Sequence, residues 1–140
     1  MDRVLTVWHE PIGQPRHRVT TRVTTRGKFA RMYLPKDHAV HSFKQAIQAE
    51  FGKRLPAIGP IKLTVYAWFS RPKSEIRKTK PMPEYPHTKK PDADNVLKAV
   101  MDALNGLAWH DDAQVASVTV EKMVCFGTEQ PFVKILIEEM

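Results

Sequence analysis

The segment from Pro91 to Gly106 constrains the fold of this chain most, because a proline opens it and a glycine closes it. Between them, five apolar residues recur at helical spacing: Val96, Leu97, Val100, Met101 and Leu104. Proline disfavours the α conformation in the residue before it and suits the entry to a helix, whereas glycine commonly follows a last turn. We therefore predict a helix over residues 94 to 105, with Asp94 near its N-cap.

Carboxylates cluster around this helix. Five of the fifteen acidic residues fall between residues 89 and 114, although the chain carries a formal net charge of +7. Asp92 and Asp94 are two residues apart, and in an extended segment such a pair points the same way with roughly 6 to 7 Å between the side-chain bases. Both carboxylates can therefore converge on one divalent cation. Lys98 follows Asp94 by one turn and should share its helix face.

Each of these residues also has a structural interpretation. An aspartate at a helix N-terminus more often caps the helix, which is worth about 1 kcal/mol, than binds a metal. Lys98 alone is most often a solvated side chain or a partner of Asp102. The combination favours a site, because capping does not require Asp92 and solvation does not favour clustered like charges. A second acidic pair, Asp111 and Asp112, follows the helix, and a shared cation site would account for both pairs.

Together these residues form a longer pattern: Lys90-Pro91-Asp92-x-Asp94-Asn95-x-x-Lys98-x-x-x-Asp102-x-Leu104-x-Gly106, then Asp111-Asp112-x-Gln114 and Lys122. The pattern resembles the RusA family of Holliday junction resolvases, particularly its phage-type members, over residues 89 to 122. The resemblance implies that Asp92, Asp94 and Asp112 bind Mg²⁺ and that Lys98 is needed for cleavage. Some members carry an arginine where Pro91 stands, so Lys89 and Lys90 are candidates for that DNA contact.

The resemblance implies an activity: Mg²⁺-dependent, structure-selective cleavage of four-way junctions by paired symmetric cuts in DNA recombination and repair. Oxygen ligands without histidine or thiolate suit Mg²⁺, with Mn²⁺ as a substitute. Two cuts related by symmetry imply a homodimer. Two alternatives stay open, a flap or fork-processing nuclease and a non-catalytic DNA-binding module. No G-x-S-x-G, P-loop or G-x-G-x-x-G motif occurs, which leaves serine hydrolases and nucleotide-binding enzymes without an anchor.

The composition agrees with a DNA-acting protein. At 140 residues the chain is long enough for one domain, residues 1 to 140, and its positive charge indicates an anionic partner, most commonly nucleic acid. Cys125 is the only cysteine, which excludes a disulfide framework and favours a reducing compartment. No apolar run approaches the roughly 20 residues of a membrane span. We expect the protein in the cytoplasm of a bacterial or phage-infected host cell.

Two segments concentrate the basic residues. Residues 11 to 36 contain seven Lys or Arg and no acidic residue, so the cations lack internal partners and a DNA-contacting arm is favoured over a solvated loop. Arg16 and Arg18 are its candidate DNA contacts. Residues 71 to 91 form a predicted extended loop, with seven basic residues and prolines at 72, 81, 83 and 86 before Pro91. This loop leads to Asp92, and contact with DNA or with a partner subunit is equally consistent with it.

The remaining periodicities predict strands over residues 4 to 8, a hairpin over 19 to 33, a helix ending near Gly52, a central strand over 61 to 69, and a hairpin of strands 115 to 125 and 132 to 137. These elements predict a fold that combines helices and strands (α/β in the broad sense, α+β in the narrow one). We expect a single RusA-like domain in which two main helices pack on a mixed sheet. Asp111 and Asp112 should lie at the sheet edge and meet the N-terminus of the helix over 94 to 105.

Overall fold

The computed structural model describes residues 2–15, 18–24, 27–33 and 38–140. Its elements follow in chain order: β1 (Arg3–Val7), β2 (Arg18–Thr24), β3 (Gly27–Tyr33), α1 (Ala39–Phe51), β4 (Ile61–Phe69), β5 (Tyr85–Pro86), α2 (Ala93–Leu104), β6 (Val115–Val124) and β7 (Phe132–Glu139). Short 3₁₀ turns occur at Lys73–Glu75 and Asp112–Gln114. β2 and β3 form a two-stranded antiparallel sheet of their own, which confirms the predicted hairpin.

β4 is the middle strand of a five-stranded sheet with the order β1-β7-β4-β6-β5. β7 runs antiparallel to β4 on one side, and β6 runs parallel to it on the other. One face of β4 is apolar and no more than 4% exposed: Ile61, Leu63, Val65, Ala67 and Phe69. These residues share a face because side chains alternate along a strand. The prediction of a central strand over residues 61 to 69 is confirmed.

The predicted hairpin of β6 and β7 is wrong, because β4 lies between the two strands. Alternation of apolar and polar residues indicates which face of a strand is buried, but it does not indicate which neighbouring strand it pairs with. Here the connection from β4 to β6 contains α2, and a parallel pair needs such a crossover. β6 takes one edge of β4, so β7 pairs with the other edge and also with β1. The sheet is therefore mixed, as expected, with a different strand order.

The two helices bury apolar stripes between themselves and the sheet. The α1 stripe is fully or almost fully buried and consists of the predicted residues: Val40, Phe43, Ile47 and Phe51. The α2 stripe is buried as well: Val96, Ala99, Val100, Ala103 and Leu104. Burying one large apolar side chain contributes about 1.5 to 3 kcal/mol, so these stripes hold both helices on the sheet. The chain is a single small domain with an α+β arrangement.

The loop over residues 71 to 91 is more ordered than its composition predicted. Arg71 donates to the carbonyl oxygens of Pro83 and Cys125, and its guanidinium lies 5.3 Å from the ring centre of Tyr85. Tyr85 also hydrogen-bonds the Glu75 carboxylate and pairs with the end of β6. The loop thus follows the sheet edge and delivers the chain to the start of α2.

Candidate active site

The first turn of α2 carries Asp92 and Asp94. Asp92 is the N-cap residue, with φ −65° and ψ 152°, but its carboxylate makes no capping hydrogen bond. Its backbone oxygen accepts the amides of Asn95 and Val96, both at 3.1 Å. Asp94 lies in the first turn, two residues after the N-cap, which agrees with its predicted place near the N-cap. The capping interpretation therefore explains neither carboxylate.

Both carboxylates are exposed at the positive end of the α2 dipole. Neither Asp92 nor Asp94 makes a hydrogen bond or an ion pair with its side chain in the part of the chain that the structure describes. Carboxylates that the protein leaves unpaired keep their lone pairs for a cation or for water. Their backbone is held tightly while their side chains stay available.

Lys98 is exposed and lies one turn after Asp94 on α2. The structural interpretation paired it with Asp102, but Asp102 faces α1 and lies 3.8 Å from the Lys44 ammonium. Lys98 has no ion pair among the described residues. Its cation therefore remains available to a phosphate near the two carboxylates.

The second acidic pair is committed to local structure. The Asp111 carboxylate accepts the amide of Ala113, and the Gln114 side chain accepts the amide of Asp111, which makes a reciprocal cap of the Asp112–Gln114 turn. The Asp112 carboxylate accepts the indole N–H of Trp109 at 2.9 Å. Trp109 is fully buried, and leaving such a donor unpaired costs about 1 to 3 kcal/mol.

Within one chain the two acidic groups lie at opposite ends of α2. The Lys122 ammonium, near the end of β6, donates to the carbonyl oxygen of Pro91 at 2.7 Å, so α2 starts beside the end of β6. Asp112 instead lies just before the start of β6. At 1.5 Å per residue the twelve residues of α2 separate the two ends by about 16 Å.

The expectation that Asp111 and Asp112 meet the start of α2 in the same chain was therefore wrong. The described residues contain no group of three or more His, Cys, Asp or Glu side chains that could hold a metal ion. The residue spacing did not indicate this separation, because α2 runs back along the sheet and the two acidic pairs lie at its opposite ends. Asp92, Asp94 and Lys98 all lie in the first half of α2 or at its N-cap, and Asp112 lies beyond its other end.

The N-terminal segment packs on the start of α2 from the other side. The amide of Gln14 donates to the carbonyl oxygen of Asn95 at 2.8 Å. A Cβ added to Gly13 would lie 2.6 Å from the Cβ of Pro91, closer than real Cβ atoms approach. Residues 11–15 thus form one wall of an open pocket of about 550 Å³ whose other wall includes Asp92.

Sequence reasoning treated this segment only as the start of a basic arm. Its signal was the glycine of Gly13-Gln14-Pro15, which marks a close approach of two backbone segments. Of the predicted DNA contacts, Lys89 and Lys90 are exposed directly before Pro91. Arg16 and the side chain of Arg18 lie outside the described residues.

His87 adds a half-buried imidazole close to the segment before α2. Its ring stacks on Phe69 with 3.8 Å between ring centres, and its Nδ1 is buried with no hydrogen-bond partner in the described part of the chain. Burial lowers the pKa of His87, and the positive charges of Lys122 and Lys89 lower that pKa further. The imidazole is therefore neutral at pH 7 and adds no charge to the lysines around Asp92.

A basic α+β domain whose exposed carboxylate pair lies among lysines belongs to the class of proteins that act on nucleic acid. No helix among the described residues is both long and apolar enough to cross a membrane. The family model described as "Endodeoxyribonuclease RusA" matches residues 9–138. The chain belongs to this family of Holliday junction resolving endonucleases and is a nuclease that acts on DNA.

A curated relative agrees in length. The chain is 32% identical over 140 residues to the "Uncharacterized protein YqaN" of Bacillus subtilis (strain 168), and the match covers 96% of this chain and 94% of that protein. The resemblance stated from residues 89 to 122 is thus confirmed as membership that extends over nearly the whole chain.

Proposed function

We propose that this nuclease is Mg²⁺-dependent and resolves four-way DNA junctions by paired, symmetric cleavage as a homodimer. The observation that carries the proposal is the pair of exposed carboxylates at the start of α2, Asp92 and Asp94, which have no side-chain partner among the residues that the structure describes. Mg²⁺ is commonly bound through one or two carboxylates together with waters and substrate phosphates, and this donor set fits it. Mn²⁺ should substitute, because it prefers the same oxygen ligands.

The bound ion would supply Lewis-acid chemistry, since it withdraws electron density from a phosphate oxygen and from water. The chain's own residues do the positioning. Asp92 and Asp94 hold the ion in place, and Lys98 stabilises negative charge on the scissile phosphate from the same helix face. Lys89 and Lys90, directly before Pro91, bind neighbouring phosphates of the same DNA strand.

If Asp112 is the third ligand, as the family resemblance implies, it must come from a second copy of the chain. A two-fold axis that reverses α2 would bring Asp112 of one subunit to Asp92 and Asp94 of the other. The same operation would create two equal sites, which is what two symmetric cuts require.

An apolar surface suits that contact and is defined by four residues: Leu97, Met101, Val118 and Val120. Leu97 and Met101 are half-buried and lie away from the Asp102 flank that contacts α1. Val118 shares a face of β6 with Val120, yet it is 47% exposed, whereas most apolar residues of the sheet interior are covered. This surface lies between the two ends of α2, where a reversed copy of α2 would pack.

The first experiment incubates the protein with labelled four-way, forked and linear duplex DNA, with Mg²⁺ and with EDTA. The proposal expects cleavage of the four-way junction with Mg²⁺ only. A plasmid-borne cruciform then reports coupling, because paired cuts give linear product and independent nicks give relaxed circles. Equal cleavage of forks and junctions would favour the fork-processing alternative, and relaxed circles or a monomer in solution would count against paired resolution.

A subunit-mixing experiment tests the shared site. Asp92→Asn and Asp112→Asn are each expected to be inactive alone, but co-expressed they form mixed dimers in which one site keeps all its aspartates. Those dimers should nick the junction in one strand. An inactive mixture, with mixed dimers verified by two affinity tags, would mean that all ligands come from one chain. Cleavage by Asp112→Asn alone would instead mean that Asp112 has no role in cleavage.

Asp111 and Asp112 both serve as hydrogen-bond acceptors for local structure, so the fold accounts for both without a metal. A wild-type protein that binds junctions without cutting them in Mg²⁺ or Mn²⁺ would refute the proposed activity. For the enzyme we propose the cytoplasm of a bacterial or phage-infected cell, where its DNA substrate occurs.

A further inference from the structure

Lys122 lies on β6, and its ammonium points at the backbone that precedes Asp92. Its Nζ lies 2.8 Å from the carbonyl oxygen of Lys89 and 2.7 Å from that of Pro91. The backbone oxygen of Lys122 in turn accepts the amide of His87 at 3.0 Å. One residue of the sheet therefore makes three hydrogen bonds to the segment 87–91.

The Lys122 ammonium bonds the protein backbone. An ammonium has three N–H donors, and Lys122 uses two of them on backbone oxygens. Hydrogen bonds from a charged donor are shorter and stronger than neutral ones. The two Lys122 bonds, 2.8 Å and 2.7 Å long, have the length expected of such charged bonds. Lys122 makes no ion pair with a described carboxylate. Its charge is thus directed at the protein backbone rather than at a phosphate.

The position of the two bonds matters for Asp92. Pro91 is the residue directly before the N-cap, and the Asp92 backbone oxygen accepts the first amides of α2. Holding the Pro91 oxygen therefore fixes where α2 begins and which way the two unpaired carboxylates point. Their own side chains have no partner that could do so, since they make no hydrogen bond among the described residues.

We propose that Lys122 is a positioning residue that clamps the segment 87–91 to β6 and so sets Asp92 and Asp94 for metal binding. The inference rests on the proposed function for its purpose, but the clamp itself is a property of the free protein. Supporting residues around a metal site typically change metal affinity by 10- to 100-fold when they are altered.

The test compares Lys122→Met, which keeps the length of the side chain and removes the ammonium, with Lys122→Arg, which keeps donors. Lys134→Met is the matched control, because Lys134 is an exposed lysine of β7. Amide hydrogen exchange over residues 87–95 is measured without metal or DNA. Exchange should be faster in Lys122→Met, at the wild-type rate in Lys134→Met and close to that rate in Lys122→Arg.

Mn²⁺ binding is then measured by electron paramagnetic resonance, which detects the signal of the free ion. Lys122→Met should weaken it by about 10- to 100-fold, with recovery in Lys122→Arg. The salt dependence of junction binding should not change, because the Lys122 ammonium is directed at two backbone oxygens. Unchanged exchange in Lys122→Met, or a shallower salt dependence with unchanged Mn²⁺ affinity, would overturn the positioning role. Failure of the wild-type protein to bind Mn²⁺ would instead refute the metal dependence, and the exchange data would still decide the clamp.

Discussion

Replacing Gly13 with alanine tests whether the N-terminal segment is held against the start of α2 as tightly as the structure has it. The added Cβ would lie 2.6 Å from the Cβ of Pro91 and 3.1 Å from the Cβ of Asn95. Neither neighbour can yield easily, because the first belongs to a proline ring and the second to the first turn of a helix. The segment must move away, and the 2.8 Å hydrogen bond from Gln14 to Asn95 is then strained.

The expected size follows from these contacts. Overpacking in a well-packed region costs about 1 to 3 kcal/mol, and a lost backbone hydrogen bond falls within the same range. For a chain of this length, each kcal/mol corresponds to roughly 3 to 4 °C in Tm. Gly13→Ala should therefore lower the Tm by about 3 to 12 °C. Because the displaced segment contacts Pro91, cleavage at a temperature well below the Tm should fall as well.

Gly59→Ala is the matched control, since no atom of the described residues lies within 4 Å of the added Cβ and the Gly59 backbone is not in the left-handed region. Its Tm should equal or slightly exceed that of the wild type, because alanine restricts the unfolded chain. Thermal unfolding followed by circular dichroism measures both variants. A Gly13→Ala protein that melts within 1 °C of Gly59→Ala would refute the close approach of residues 11–15 to α2.

Three further predictions concern single groups. Asp92→Asn and Asp94→Asn should each abolish Mg²⁺-dependent cleavage and leave junction affinity equal or higher in gel-shift assays, because repulsion from phosphate is removed; near wild-type cleavage contradicts this. The lowered pKa of His87 means that the unfolded state binds its proton first, so urea stability should fall as pH drops below about 6.5, and His87→Gln should flatten that dependence. Burial raises the pKa of Cys125 to about 11, so a thiol reagent at pH 8 should modify it only on unfolding.

Local patterns predicted the elements that build the site. α2 was placed within one residue at each end, because proline, an apolar stripe and glycine all act within the segment itself. β4 was placed at its observed bounds, because nine mostly apolar residues in succession leave few alternatives in a small domain. The places of Asp92, Asp94 and Lys98 at the start of α2 followed from the same short spacings.

The errors concern residues that are distant in sequence. The strand order and the separation of Asp112 from Asp92 both depend on the direction in which α2 returns along the sheet, which no periodicity specifies. The clamp by Lys122 could not be predicted either, because a lysine in an alternating strand has the same pattern whether it binds a carbonyl oxygen or water. The family resemblance included Lys122 without indicating what its side chain does.

The place of β7 between β1 and β4 has a consequence for how the chain acquires its structure. Among the described strands, β1 pairs with β7 alone in the large sheet, and β7 is the last of them in sequence. A nascent chain that has reached the end of β6 therefore holds β1 without its partner and β4 with one open edge. Such an edge presents unpaired amides and carbonyls to other chains. β7 connects β1 to β4 in the sheet. The sheet therefore cannot be completed until the residues of β7 have been synthesised.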